Sequence, residues 1–111
     1  VVIDSREHHW LNKGMIPGAI NIPWDQLYPG NANPRKLADL LQFQFGAVKL
    51  EQYWEFSNVK TLVFYCNGQW CGQSPSSIRA LLGLGYPPQK IKWYRGGMQS
   101  WKMLGLTTVR P

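Results

Sequence analysis

Four short apolar runs, separated by stretches with helical spacing, constrain the fold of this chain more than any other feature. Val1-Val2-Ile3, Ala19-Ile20-Asn21-Ile22, Thr61 to Tyr65 and Ile91 to Tyr94 each read as a strand. Between them, Glu7 to Asn12 reads as a short helix. Leu37, Leu40, Leu41 and Phe45 recur at helical spacing and predict about three turns from Arg35 to near Gly46. Leu50 to Phe56 reads as another short helix, with a less regular pattern. Ser74, as N-cap before Pro75, opens a helix that carries Ile78, Leu81 and Leu82 on one face and ends at Gly85. Met98 to Leu104 forms the last, closed by Gly105. Gly14 to Gly18 is a turn, and Tyr28 to Pro34 is a surface loop rich in Pro, Gly and Asn. Strands alternating with helices predict an α/β fold, a small parallel sheet of about four to five strands with helices on both faces. No linker or repeat interrupts residues 1–111, so the expectation is one domain.

In such sheets ligands bind beyond the carboxyl ends of the strands, and Cys66 sits at such an end. The loop Asn67-Gly68-Gln69-Trp70-Cys71-Gly72-Gln73 then leads into the helix at Ser74. Backbone N–H groups of this loop, with the partial positive charge of the helix amino terminus, favour the anionic form of a thiol and hold an anionic substrate. The readings of this segment are nucleophilic or redox chemistry. A buried structural cysteine fits poorly beside Gly, Asn and Gln.

Composition narrows the partners. The net charge of +6 favours anions, but the Lys and Arg residues are scattered and no nucleic-acid motif appears, so nucleic acid is not expected. No apolar run approaches the roughly 20 residues of a membrane helix, and no membrane insertion of this domain is expected. Two cysteines five positions apart, with no nearby His, predict neither a disulfide framework nor a metal site, and no cofactor is implied. His8 and His9 read as surface residues beside Glu7. Arg79 stands at the edge of reach for an anion on the loop.

Four motifs in order give a family resemblance. Asp4-Ser5-Arg6 resembles the Asp-x-Arg that follows the early strand of single-domain rhodaneses. Gly14-Met15-Ile16-Pro17-Gly18-Ala19-Ile20-Asn21-Ile22-Pro23 is similar to their Gly-His-Ile-Pro-Gly-Ala-Ile-Asn-Ile-Pro signature, with Met15 where His is usual. Tyr65-Cys66 through Ser74, with Leu81 to Tyr86, resembles their active-site loop and following helix. Arg95-Gly96-Gly97-Met98-Gln99-Ser100-Trp101 resembles their Gly-Gly-x-x-x-Trp motif. The likeness runs from Val1 to about Val109, with Tyr28 to Asn58 alike only in helical character. It implies a rhodanese-like fold and a sulfurtransferase in which Cys66 carries sulfane sulfur as a persulfide. A small anionic donor would supply the sulfur, and a thiol, a sulfur carrier or cyanide would accept it. Asp4 and Arg6 would brace the fold. Compact periplasmic rhodaneses begin at a similar point, so the periplasm is one expected compartment and the cytoplasm the alternative.

The loop departs from that pattern. Eight positions separate Cys66 from Ser74, where six are usual, so a larger pocket is expected. The common loop Arg is missing, since Asn67, Gln69, Trp70 and Gln73 are neutral, which leaves thiosulfate open as a donor. A phosphatase or arsenate reductase would want Cys-x5-Arg, and position 72 is Gly. Cys71 adds a second thiol able to resolve a persulfide or an oxidised Cys66. Two further readings stand beside the sulfurtransferase. One is a catalytically weak binding module that presents Trp70, and the other a Cys66/Cys71 dithiol redox protein.

Overall fold

In the computed structural model, which describes residues 1–28 and 30–111, the chain runs in the order β1 (Val2–Asp4), β2 (Ile20–Asn21), α1 (Pro34–Asp39), β3 (Val48–Lys49), β4 (Trp54–Glu55), β5 (Leu62–Tyr65), α2 (Gln73–Leu84), β6 (Ile91–Trp93) and α3 (Gly97–Met103). The four apolar runs become one parallel sheet in the order β2-β1-β5-β6, with Ile3 level with Ile20 on one side and Phe64 on the other, and Phe64 level with Trp93. The expected α/β architecture is therefore present, with four strands in the sheet. Pro29, within the expected surface loop, lies outside the described residues. No helix among the described residues is long and apolar enough to cross a membrane.

Strand alternation sends side chains to two faces. Ile3, Leu62 and Phe64 pack with Ile22, Leu27, Leu41, Phe45, Leu81 and Tyr86 under α1 and α2. Val2 and Tyr65 face the other side with Ile16, Met98 and Trp101 of the α3 layer. Full burial of each large apolar side chain is worth about 1.5–3 kcal/mol, so the two layers fix the strand register that carries Cys66. The five Trp residues other than Trp70 are half-buried.

Local signals explain most element ends. Asn33 caps α1 by accepting from the N–H groups of Arg35 and Lys36, and Pro34 takes the first helical position. The expected helix continues past α1 as a π-helix over Leu40–Gln44. Gly85, at φ +102°, closes α2 in the left-handed conformation. The first short helix is a 3-10 segment over His8–Lys13.

The helix expected over Leu50 to Phe56 is corrected. Trp54–Glu55 pairs antiparallel with Val48–Lys49, and the N–H of Leu50 donates to the Tyr53 carbonyl to close the turn. Leu50 and Tyr53 are exposed, while Trp54 and Phe56, two positions apart, both reach the core. A helix there would have had no continuous face to bury.

Tyr86 gives the fold a pH dependence. It is 1% exposed and donates to the Lys60 carbonyl, and burial pushes its hydroxyl up to about 12. The folded chain keeps a proton that the unfolded chain releases near an ordinary tyrosine value of about 10. Stability from this group is complete below that value and falls as pH rises toward about 12. Urea unfolding should show the advantage of wild type over Tyr86→Phe shrinking between pH of about 9 and about 11. A constant gap would contradict this account.

Candidate active site

The carboxyl end of β5 delivers Cys66 into the loop that leads to α2. Three neighbouring parts hold that loop. At the first, α3 presents its opening amides to the loop carbonyls, with Met98 N–H donating to Cys66 O at 2.9 Å and Gln99 N–H to Asn67 O at 2.9 Å. Gly97 makes this approach feasible. It has φ +57°, and a Cβ built there would stand 2.3 Å from Cys66 O and 2.9 Å from Gly68 N. The Gly-Gly-x-x-x-Trp motif thus acts as a clamp on the cysteine loop.

The second part is a buried polar network behind the loop. Arg6, 1% exposed, donates through Nε and Nη2 to the Asp4 carboxylate, through Nη2 to Gly14 O at 2.8 Å, and through Nη1 to Asn67 Oδ1 at 3.3 Å. Tyr65 donates its hydroxyl to Asp4 Oδ2 at 2.9 Å and accepts from Ile16 N–H. Burial and the Asp4 charge raise the Tyr65 pKa well above the ordinary phenol value, so this hydroxyl stays a donor. Asn21 Nδ2 donates to the carbonyls of Asp4 and Arg6. Arg6 therefore touches the loop from inside the fold, through the Asn67 side chain, and Asp4 holds Arg6 in place.

The third part is Ser74, and here the capping expectation is corrected. Helix α2 starts at Gln73, with Gly72 at the cap position and no side-chain cap. Ser74 lies within the first turn, fully buried, with its Oγ 2.6 Å from Ser5 Oγ, and Ser5 in turn donates to Tyr65 O. A tertiary partner on the segment after β1 takes the hydroxyl that a local rule assigns to the backbone. The result ties the start of α2 to the end of β5, across the cysteine loop.

The loop itself turns on the N–H of Cys71 donating to Gly68 O. Cys66 is 1% exposed, and its Sγ lies 3.7 Å from Cys71 O as a donor. Cys71 is half-buried, and its thiol donates to Gln73 Oε1 at 3.4 Å. Burial, then the neighbouring Cys66 side chain, raises the Cys71 pKa; the backbone amides of Gln73 and Asn67 act in the opposite sense. Both cysteines are free thiols.

Trp70 is 66% exposed and its ring lies over Gly68, where an added Cβ would stand 2.2 Å from the ring. Gln69 is also exposed. A cavity of about 320 Å³ beside the helix start is lined by Glu7, Trp24, Gly72, Gln73 and Ser76. Arg79 lines a neighbouring one with Tyr28, Ser76 and Ala80, one turn further along α2. His8 and His9 are exposed. Among the described residues no cluster of His, Cys, Asp and Glu has the makeup of a metal site.

Sequence reasoning placed Cys66 through Ser74 on one loop but did not find Gly97, Met98 and Gln99 as the residues that grip it. The signal was present in the paired glycines of Arg95-Gly96-Gly97, which mark a close backbone approach without saying to what.

Comparison with known proteins gives a consistent picture. Residues 1–104 match the family described as "Rhodanese-like domain". HTH-type transcriptional regulator Rv0324 of Mycobacterium tuberculosis is 30% identical over 105 residues; these are 95% of the present chain, which spans only 35% of that protein. Among solved structures, the BH2092 protein from Bacillus halodurans aligns over 99% of this chain and 63% of its own, with TM-score 0.67 and 21% identity. A probable thiosulfate sulfurtransferase aligns over 99% of this chain and 42% of its own, with TM-score 0.65 and 23% identity. At such identities these two structures speak for the fold alone.

Proposed function

Since this chain belongs to the rhodanese-like family on its match over residues 1–104, we propose that it is a sulfurtransferase that carries sulfane sulfur on Cys66. The observation that carries this reading is the seating of Cys66. It stands at the end of β5, and α3 amides engage the carbonyls of Cys66 and Asn67. Helix α2 starts beyond the same loop, and its amino terminus favours nearby negative charge by about 0.3–1 kcal/mol.

The chemistry requires little else. The Cys66 thiolate attacks the outer sulfur of a small anionic donor, an S–S bond forms, and the donor's bond to that sulfur breaks with the electron pair leaving on the donor fragment. The product is a Cys66 persulfide. An acceptor thiolate then attacks the terminal sulfur, and Cys66 leaves as thiolate. No general base is needed in either step, because nucleophile and leaving group are both anions. The loop has no guanidinium of its own, and Arg6 is engaged by Asp4, Gly14 and Asn67. Donor binding therefore rests on loop amides and on the +6 net charge of the chain.

Intact-mass measurement after incubation with thiosulfate, mercaptopyruvate or glutathione persulfide tests the proposal. With at least one donor the protein should gain the mass of one sulfur, and Cys66→Ala should gain none. Sulfur uptake that persists in Cys66→Ala overturns the assignment. No uptake from any donor also overturns it, and leaves a binding module that presents Trp70.

A further inference from the structure

The second thiol of the loop has no part in plain sulfur transfer, yet its residue is packed against Cys66. Half-buried Cys71 meets the Cys66 thiol through its backbone, with Cys66 Sγ 3.7 Å from the Cys71 carbonyl oxygen. Gln73 Oε1 accepts from Cys71 Sγ, and the turn from Gly68 to Cys71 holds the backbone between the two cysteines. A cysteine that merely filled space would need no polar acceptor for its thiol.

Resting on the persulfide reading above, we propose that Cys71 is a resolving thiol that makes the protein release sulfide from sulfane donors. The Cys71 sulfur attacks Cys66 Sγ of the persulfide. The bond from Cys66 to Cys71 forms, the bond from Cys66 to the outer sulfur breaks, and that sulfur departs with the electron pair. The proton of the Cys71 thiol goes with it, so the leaving group is hydrosulfide. The sulfane sulfur is thereby reduced by two electrons, and the two cysteine sulfurs are oxidised to a disulfide. An external dithiol, or two monothiols, then returns the disulfide to the free thiols seen here.

The surroundings of Cys71 suit both halves of this step. Burial and the neighbouring thiol keep Cys71 protonated at neutral pH, so a proton is held where the departing sulfur needs one. The backbone amides of Gln73 and Asn67 act in the opposite sense and favour the negative charge that develops as the proton leaves. Chain connectivity adds to the effect, because the attacking thiol is five residues from its target and no encounter with a separate acceptor is required.

The test is a single turnover without added thiol. Reduced, desalted protein is mixed with thiosulfate or an arylthiosulfonate, and sulfide, free thiols and intact mass are followed together. Wild type should release about one sulfide per chain and lose both alkylatable thiols, whereas Cys71→Ser and Cys71→Ala should keep the added sulfur and release at least tenfold less sulfide. Wild type that holds a stable persulfide, with Cys71 still open to alkylation, overturns the resolving role and leaves the sulfurtransferase reading intact. If wild type and both variants take up no sulfur from these or from glutathione persulfide, the sulfurtransferase reading fails and the resolving role with it.

Discussion

Arg6→Met is expected to lower stability by about 3–5 kcal/mol, the usual penalty for removing one partner of a buried ion pair. The size follows from what is left behind. Asp4 is fully buried and would keep only the Tyr65 hydroxyl and the Arg6 backbone N–H on its carboxylate. The Gly14 carbonyl and the Asn67 side chain would lose their donor as well. Urea unfolding of wild type, Arg6→Met, Asp4→Asn and the double variant measures this directly. The double variant should be markedly less destabilised than the sum of the singles, because Asp4→Asn removes the charge that Arg6→Met strands. Additive losses, or a loss under about 1 kcal/mol for Arg6→Met, would mean that the pair contributes little to the fold. Since Asn67 is the second residue of the cysteine loop, sulfur uptake on Cys66 should slow in Arg6→Met even under conditions where the variant is folded.

The extent to which this site is legible from the residues depends on the distance over which each cause acts. Leu62 to Tyr65 is apolar throughout because both faces of β5 are covered, so its place in the sheet is visible in the sequence itself. The cap at Asn33 is equally local. Ser74 shows the limit: its spacing before Pro75 fits a cap, but Ser5, sixty-nine positions away, takes the hydroxyl. Trp54–Glu55 shows another, since two-residue strands are too short to display their period and the exposed Tyr53 disguises the alternation of Trp54 and Phe56. The approach of the Cys71 backbone to Cys66 lies between these cases. Their spacing makes contact feasible, but the turn at Gly68 and the acceptor on Gln73 decide it. The grip of α3 on the loop joins residues about thirty positions apart through backbone groups alone, and backbone partners leave no side-chain pattern to read.

That grip supplies the other large effect, in Gly97→Ala. Two penalties combine. A residue with a Cβ at φ +57° carries about 1 kcal/mol of backbone strain. The new methyl would also stand 2.3 Å from Cys66 O, a backbone atom that cannot turn aside. Relief requires α3 to move away from the loop, which lengthens the bonds from Met98 N–H to Cys66 O and from Gln99 N–H to Asn67 O, and overpacking of this kind costs about 1–3 kcal/mol more. The expected total is about 2–4 kcal/mol. Gly105 separates the two contributions: it has φ +72° and nothing within 4 Å of a built Cβ, so Gly105→Ala should show the backbone part alone, about 1 kcal/mol. Equal losses in the two variants would mean that the approach of α3 to the cysteine loop is loose. A larger loss in Gly97→Ala, together with slower sulfur uptake by its folded fraction, would tie the position of Cys66 to the amino terminus of α3.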